Sequence, residues 1–306
     1  MLPYVMRRMM AALAVLWGVA TVVFLLLQVI PGDPAETMLA GSGASPAEIA
    51  HARQQLGLDD PLLLQYSRYL LDTLQGDLGR SLFSNRPVAL TLVEQLPATL
   101  ELATAALLVA VFFGLSLGIL AALRADTWID QLVMGMAVLG VSVPVFWSGL
   151  LFVWVFSIGL NWLPATGADG WRHLVMPALV LGWVGAGPIA RLVRASLINA
   201  LRTDYITLAR AKGLPYTIVI SRHALRNAII PVITLIGLQA GFLLGGTVVT
   251  EAVFARPGLG RLVVEAILSK DLPVVQGVVL FVAATYVVIN LMVDLATLAL
   301  DPRLRQ

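Results

Sequence analysis

The sequence lacks cysteine altogether and contains little charge. Because none of the 306 residues is a cysteine, a disulfide framework and a thiolate metal site are both excluded. Charged residues make up only 12% of the chain and hydrophobic residues 59%, whereas a soluble domain carries about a quarter charged residues. This composition predicts an integral membrane protein.

Motifs for nucleotide binding and for zinc-dependent hydrolysis are absent as well. The sequence contains no G-x-x-x-x-G-K-[ST] phosphate loop and no H-E-x-x-H zinc motif. Its histidines, His51, His173 and His223, are far apart along the chain, so no metal site is predicted. We therefore expect a chain that is not an enzyme and holds no cofactor. Active transport by it would draw energy from another chain or from an ion gradient.

What the sequence does contain is a series of long runs without charge. A helix needs about 20 apolar residues to cross the hydrocarbon core of a bilayer. Charge-free windows suited to spans lie at 9–32, 102–123, 131–168, 227–250 and 272–293. A shorter window at 174–190 contains Pro177 and Pro188, and we predict a sixth span there because membrane helices tolerate proline. The first window is too long for the apolar core of a signal peptide and is expected to remain uncleaved.

The distribution of charge around these windows predicts the orientation. With the N-terminus in the cytoplasm and six alternating spans, the cytoplasmic side receives 12 basic and 4 acidic residues, and the outer side 8 and 13. The positive-inside rule therefore places both termini in the cytoplasm. The expected fold is an all-α polytopic membrane protein with six transmembrane helices and an extended extracytoplasmic loop after the first. We expect residues 1–94 to contain the first helix and this loop, 95–300 the transmembrane core, and 301–306 a cytoplasmic tail.

The outer segments carry signals for short helices. Ser45 is a candidate N-cap with Glu48 three residues later, and Gly57 can end the helix that they begin. A second helix is predicted within "PLLLQYSRYLLDTLQGDLG" (61–79), whose apolar residues have helical spacing. The later stretch "RLVVEAIL" (261–268) fits either a short amphipathic helix at the membrane surface or a surface hairpin.

Two predicted spans carry glycines at helical spacing. Gly237, Gly241 and Gly245 are four residues apart and share one helix face, and Gly114 and Gly118 do the same in another span. Small residues in this pattern let a second backbone approach closely. They indicate either helix packing within the chain, which we favour, or a seam against a second subunit or along a moving interface.

Asp294 is the one carboxylate well inside a predicted span. A buried ionisable group in a membrane is a candidate for proton coupling. However, Asp294 lies two turns from Asp301, near the cytoplasmic interface, and Asn290 is one turn away on the same face. We favour a structural hydrogen-bonding role over proton coupling.

A polar, basic segment, "RTDYITLARAKGLPYTIVISRHALRNAIIP" (202–231), lies between two charge-free windows. Its first part has a helical pattern with Ile206 and Ala209 on one side. Asp204 lies early and Lys212 late in this helix, where each suits the helix dipole. Gly213 can adopt the left-handed conformation that ends a helix. Pro215 then suits the first turn of another.

The sequence therefore predicts a helix–turn–helix hairpin at the cytoplasmic face, which we call the basic hairpin (residues 204–225). Such a segment can lie on the anionic inner leaflet of the membrane. Alternatively, it can insert into a groove on a cytoplasmic partner. Because lipid binding needs only the basic side chains and not a turn fixed by glycine, we favour the partner.

The basic hairpin resembles the EAA–glycine cytoplasmic loop of permease subunits of ABC importers. The chain as a whole resembles the permeases for dipeptides, oligopeptides, glutathione and nickel. The matching stretches are "IPGDP" (30–34), "LGLDDPLLLQYSRYL" (56–70), "GDLGRS" (76–81), "PATLELA" (97–103), "DYITLARAKG" (204–213), "HALRNAIIPVIT" (223–234), "PGLGRL" (257–262), "PVVQG" (273–277), "INLMVDL" (289–295) and "DPRLR" (301–305).

The resemblance implies which residues of the hairpin serve coupling to an ATPase. They are Asp204, Tyr205, Ala209, Arg210, Ala211, Lys212, Gly213, His223 and Leu225. Thr207 and Leu208 stand where the family's loop begins with glutamate and alanine, so contacts of that glutamate are not carried over. Substrate-binding residues are not identified.

The same resemblance implies a permease of the inner membrane of a prokaryote. Its expected partners are a second homologous permease, two cytoplasmic ATPases that bind ATP and Mg, an extracytoplasmic substrate-binding protein and the lipid bilayer, with no nucleic acid. The expected cargo is a peptide, and "NWLPATGADGWRHLVMPAL" (161–179) is similar to the glutathione type. The alternatives are a nickel or metallophore permease of the same group, a stand-alone secondary transporter that uses Asp294, and a membrane scaffold without transport activity.

Overall fold

The structure, a computed structural model, describes residues 2–29, 33–39, 45–55 and 57–300, which form helices and no β-strand. The predicted all-α class is confirmed. The predicted tail at 301–306 and most of the turn at 30–34 lie outside the described residues.

The helices are α1 (Leu2–Val29), α2 (Pro34–Leu39), α3 (Pro46–Gln55), α4 (Leu62–Leu74), α5 (Val88–Leu123), α6 (Trp128–Ser142), α7 (Val145–Phe152), α8 (Arg172–Leu201), α9 (Asp204–Ala211), α10 (Tyr216–Ile218), α11 (Leu225–Val253), α12 (Leu259–Ser269) and α13 (Leu272–Leu300). π-Helical segments follow α7 (Val153–Gly159) and α10 (Val219–Ala224).

Five described helices are long and apolar enough to cross a membrane, and a bent pair of helices can supply a sixth span. Each of the five overlaps one predicted window, including the window at 174–190 that contains two prolines. The five are Met6–Leu26, Val88–Leu123, Arg172–Leu201, Tyr216–Val253 and Leu272–Leu295.

The remaining window, 131–168, contains two helices where the sequence predicted a single span. α6 and α7 meet at an angle of 104°. The break falls at Pro144, which precedes α7, and Val143 before it is extended with ψ of 127°. Proline disfavours the helical conformation of the residue before it, and this steric effect ends α6.

Residues Met1–Ala98 and Pro257–Val287 form one compact unit. Within it α4 packs on the C-terminal half of α1. The hydroxyls of Thr21 and Tyr66 are 2.6 Å apart, and the ring of Phe24 stacks on that of Tyr69 with centroids 5.5 Å apart. Burial, together with the neighbouring Tyr66, raises the pKa of Tyr69 to about 12.

Local sequence signals determine both ends of α3. The Ser45 N–H donates to Glu48 Oε2 at 2.7 Å, and the Glu48 N–H donates to Ser45 Oγ at 3.4 Å. This is the reciprocal capping box that the sequence predicted. At the other end, Gly57 has a φ of +64°, and the Leu58 N–H donates to the Arg53 carbonyl at 3.0 Å. Gly57 therefore closes the helix as predicted.

The stretch at 261–268 is a helix, part of α12, and not a hairpin. A left-handed residue, Lys270 with φ of +61°, ends it. The next residue, Asp271, is buried and accepts hydrogen bonds from Ser81 Oγ at 2.5 Å and from the Leu82 N–H at 3.1 Å. These bonds tie the end of α12 to the loop before α5.

Residues Thr99–Arg256 and Val288–Gln306 form the other unit, and α8 lies at its centre. Of the span window in α8, 61% is buried, against 28% for the helix Tyr216–Val253. A Cβ on Gly118 of α5 would lie 2.6 Å from the Ala190 carbonyl oxygen of α8, and one on Gly187 of α8 would lie 2.5 Å from the Ala137 carbonyl oxygen of α6. Glycine thus lets α5 and α6 touch α8 at the backbone.

The three glycines of α11 have different surroundings. A Cβ on Gly237 would collide with Val293 of α13, whereas one on Gly245 would meet no atom of the described residues within 4 Å. Gly241 is buried. Packing within the chain therefore explains Gly237, and a seam against a second subunit stays a prediction for Gly245.

A buried ion pair joins α6 to α8. Both oxygens of Asp130 accept hydrogen bonds from Arg194, whose Nε and Nη2 lie 2.5 Å away. The side chain of Asp130 is only 4% exposed and that of Arg194 is 27% exposed. The two-pronged geometry fixes the direction of the guanidinium and of the carboxylate alike.

Candidate functional site in the basic hairpin

The first arm of the basic hairpin is α9, and its end has the geometry that the glycine predicted. Gly213 has a φ of +75°. Its N–H donates to the Arg210 carbonyl at 2.9 Å, and the Leu214 N–H donates to the Ala209 carbonyl at 3.4 Å. This pair of bonds is a Schellman motif, which satisfies carbonyls that the helix leaves open. The predicted turn is therefore confirmed.

The second arm runs without a break into a membrane-spanning helix. Pro215 immediately precedes α10, and its carbonyl accepts the N–H groups of Ile218 and Val219 at 2.9 and 3.0 Å. α10, the π-helical segment and α11 together form one apolar helix, Tyr216–Val253. Any force on the turn at Gly213 is therefore applied directly to the end of this span.

One face of the hairpin is packed onto the ends of other helices. Ile206, Ala209, Val219 and Ala224 are each less than 7% exposed. They form one apolar cluster with residues of α5, α8 and α11, namely Ala122, Leu197, Ala200 and Ala228. The hairpin is consequently held by three helices of the same unit and not by its connecting peptides alone.

The opposite face presents apolar and basic side chains together. Leu208 is 57% exposed, Tyr216 55% and Leu214 36%. Arg210 and Lys212 lie beside them and are exposed, and the Arg210 guanidinium carbon is 5.8 Å from the centre of the Tyr216 ring. This contact is within range of a cation–π interaction. A surface of this kind suits a groove with an apolar floor and acidic edges.

Five cations of the segment 202–231 are exposed and take no part in an ion pair with the described residues. They are Arg202, Arg210, Lys212, Arg222 and Arg226. A further contact shapes the surface, because Asn227 Nδ2 donates to the Tyr205 hydroxyl at 2.9 Å. That bond links the first arm of the hairpin to α11.

The structure separates the predicted coupling residues into two groups. Ala209 is buried and His223 and Leu225 are half-buried, so they support the hairpin. The others are exposed: Asp204, Tyr205, Arg210, Ala211, Lys212 and Gly213. Sequence reasoning missed the exposed apolar residues Leu208, Leu214 and Tyr216. The helical face opposite Ile206 and Ala209 was the signal that could have found them.

Asp294, the candidate for proton coupling, is partly buried in α13 and has an interaction partner. Asn290 lies one turn away, and its side-chain oxygen is buried without a hydrogen-bond partner among the described residues. A structural role for this pair of residues stays the prediction that we favour.

Two family models match the chain. Residues 114–306 match "Binding-protein-dependent transport system inner membrane component", and residues 1–103 match the model of the N-terminal part of such membrane components. The chain is 46% identical to the glutathione transport system permease protein GsiC of Salmonella paratyphi A, over all of this chain and 99% of that one. It is 45% identical, with the same coverage, to the protein of that name from Escherichia coli strain K12.

Solved structures of low sequence identity share the fold. A chain of the MetNI methionine ABC transporter in an inward-facing conformation superposes with a TM-score of 0.60 at 19% identity, over 69% of this chain and 96% of that one. A chain of an amino acid ABC transporter superposes with a TM-score of 0.52 at 16% identity, over 70% and 94%.

Proposed function

The chain belongs to the family of binding-protein-dependent transport system inner membrane components, and from this we propose that it is the permease subunit of an ATP-driven importer of short peptides of the glutathione class. It is a multi-pass protein of the inner membrane. The observation that supports a cargo of the glutathione class is the 46% identity, over the whole length, to a glutathione transport permease. No long insertion separates the two chains, since the alignment covers 99% of the relative.

The proposed assembly contains four kinds of partner. A second, homologous permease completes the pathway, two cytoplasmic ATPases bind ATP and Mg, an extracytoplasmic binding protein delivers the peptide, and the bilayer surrounds the spans. The family description itself supports a binding protein. The basic hairpin has exposed leucines and exposed basic side chains without an ion-pair partner among the described residues, which supports a cytoplasmic partner with an apolar and acidic surface.

The basic hairpin would couple ATP hydrolysis to transport mechanically. Its exposed residues, from Asp204 to Gly213, would enter the groove of one ATPase, with Leu208 and Tyr216 as the apolar anchors. Its buried residues, Ile206 and Ala209, connect it to the cluster at the ends of α5, α8 and α11. A displacement of the ATPases would therefore move three spans at once, because the cluster transmits it.

The proposed organisation follows the earlier division. The first span and the outer helices up to residue 94 would receive the binding protein, and residues 95–300 would form the pathway and the coupling hairpin. The meeting of the two family models between residues 103 and 114 supports a boundary in this region. Both termini and the tail at 301–306 would lie in the cytoplasm.

Reconstitution tests this proposal. The chain would be assembled in liposomes with its partner permease, ATPases and binding protein, and the uptake of radiolabelled glutathione measured. We expect that uptake requires ATP on the side of the membrane where the ATPases are. It should also require the binding protein. Uptake of nickel but not of glutathione would favour the metal-importing alternative. Uptake driven by an ion gradient without ATP would favour a secondary transporter and would overturn the proposal.

A further inference from the structure

Arg256, at the end of the segment after α11, is buried with incomplete hydrogen bonding. The residue is 1% exposed, and its Nη2 forms an ion pair with Glu101 of α5. Its Nε and Nη1 have no hydrogen-bond partner among the described residues. Buried charged donors without an acceptor are costly and rare in folded proteins. Two nitrogens of this guanidinium can therefore still donate hydrogen bonds to a partner.

The backbone around Arg256 prevents the side chain from simply turning away. The Arg256 N–H donates to the Glu251 carbonyl at 2.9 Å. Glu251 is itself fully buried, and its Oε1 accepts a hydrogen bond from the Thr99 hydroxyl at 2.8 Å. The end of α11 is thus fastened to α5 by the Glu251–Thr99 bond in addition to the Arg256–Glu101 pair. Its position is fixed before any ligand arrives.

Glu101, the ion-pair partner of the buried Arg256, is itself exposed at the surface. The side chain of Arg256 is 2% exposed, whereas that of Glu101 is 55% exposed. Glu101 bonds only one of the guanidinium nitrogens, although a carboxylate can engage two in parallel. The fork of Arg256 therefore retains capacity for a second carboxylate, or for one that replaces Glu101.

The positions of Arg256 and Glu101 along the chain indicate that the pair lies where a transported peptide would enter the membrane segments. Glu101 immediately precedes the charge-free window 102–123, and Glu251 immediately follows the window 227–250. In the topology predicted from the charges, both lie at the outer boundary of the membrane. A peptide released by an extracytoplasmic binding protein would meet this boundary first.

We propose that Arg256 recognises the C-terminal carboxylate of the transported peptide, and that Glu101 is an internal carboxylate which the peptide displaces from the guanidinium. The inference rests on the proposed function and adds a specificity-determining residue to it. The peptide carboxylate would satisfy the nitrogens that have no acceptor and would leave Glu101 free to enter water. A cargo without a free carboxylate would gain neither effect.

The test compares glutathione with its glycine monoethyl ester, in which the C-terminal carboxylate is masked. Initial uptake rates are measured for the full complex in proteoliposomes, always with the same binding protein, so that its own preference cancels between variants. For Arg256→Lys, which keeps the charge but loses the planar fork, we expect the ratio of glutathione to ester uptake to fall about tenfold. For Glu101→Gln, which removes the competing carboxylate, we expect the ratio to rise.

Arg261→Lys is the matched control, because Arg261 is a half-buried arginine of α12 that also forms an ion pair with a glutamate, Glu265. Its ratio should equal that of the unaltered chain. A purely structural ion pair predicts that both variants lower the uptake of both compounds by the same factor, and that result would overturn the inference. If Arg256→Lys does not assemble, Glu101→Gln decides alone, and an unchanged ratio rejects the inference. ATP-dependent uptake with unchanged ratios removes only this inference, whereas a complex that transports no glutathione removes the proposed function as well.

Discussion

Gly213 shows how a single backbone angle can determine the shape of the surface that we propose for coupling. Within the described part of the chain, a Cβ at this position would meet nothing within 4 Å, but the φ of +75° is one that residues with a side chain rarely adopt. Gly213→Val should therefore cost roughly 1–2 kcal/mol through backbone strain alone. We expect uptake to fall while membrane insertion is retained, which transport assays and membrane fractionation would measure.

Asparagine provides the control for this substitution. It tolerates the left-handed conformation better than other residues with a Cβ, so Gly213→Asn should retain most of the uptake. Equal losses for the two variants would show that side-chain size, and not backbone conformation, matters at the turn. Unchanged uptake and unchanged ATPase binding in Gly213→Val would count against the docking role of the hairpin.

The Asp130–Arg194 pair should contribute far more to stability than the ion pairs at the surface. Asp130→Asn leaves the guanidinium of Arg194 partly buried without a charged partner. Breaking a buried pair from one side costs about 3–5 kcal/mol, whereas an exposed pair is worth about 0–1 kcal/mol. Thermal unfolding in detergent should show a large decrease for Asp130→Asn. Glu94→Gln, in the exposed pair with Arg86, should leave the melting temperature nearly unchanged.

The contribution of Tyr69 to the stability of the folded chain should decrease at alkaline pH. Its pKa is raised from 10.0 to about 12, mainly by burial. Because the folded state holds the proton more tightly than the unfolded state, this stabilisation is complete below pH 10 and is lost as the pH rises towards 12. Tyr69→Phe has no proton to lose, so its unfolding temperature should fall less between these pH values. Parallel curves for the two proteins would contradict the shift.

At the scale of the element, α9 has one face buried against other helices of its unit and an opposite face that is exposed. Ile206→Ala opens a cavity in the buried cluster and should cost about 2–5 kcal/mol of local packing. We expect the ATPases still to bind, but less transport for each ATP hydrolysed, because the hairpin moves without moving the spans. Simultaneous measurement of ATP hydrolysis and uptake would check this.

Leu208→Glu, on the opposite face of the same helix, should give the converse result. It places a negative charge among the exposed apolar and basic side chains and should abolish co-purification of the ATPases. Loss of ATPase binding by Ile206→Ala and retention by Leu208→Glu would reverse the two faces and reject the proposed orientation of α9.

Elements that depend on neighbouring residues were predictable from the sequence, whereas contacts between distant residues were not. The caps at Ser45 and Gly213 follow from short motifs, and both are present in the structure. The break at Pro144 also has a local cause, but counting apolar residues in a window ignores it. The pairing of Arg256 with Glu101 joins residues 155 positions apart. No periodicity within a helix carries that information, because it arises only when the helices pack.

The candidate site divides in the same way. The turn, the basic charges and the buried positions Ile206 and Ala209 follow from a helical repeat. The exposure of Tyr216 and Leu214 depends on where the cluster beneath them lies. Gly245 belongs to the same series as Gly237, yet a Cβ added to it would meet none of the described residues within 4 Å. Spacing alone cannot distinguish a glycine packed on its own chain from one that faces outward.

For the whole molecule, the absence of cysteine makes the predicted topology directly measurable. A membrane-impermeant maleimide can react only with a cysteine that is introduced. Ser84→Cys, at an exposed position of the outer loop, should be labelled in intact cells. Ser221→Cys, exposed in the basic hairpin, should be labelled only after the membrane is permeabilised. The reverse pattern would overturn the orientation and with it the coupling proposal.

The central position of α8 also affects how the protein is made. The ribosome synthesises α5 and α6 well before α8, so the groove at Gly114 and Gly118 has no Ile189 or Val193 to fill it when it leaves the translocon. Until residue 201 has emerged, only lipid or an insertase can cover the faces of these early helices that later pack on α8. A mutation in α8 would therefore expose the earlier helices to quality-control proteases, and it would lower the amount of permease before it affected any step of transport.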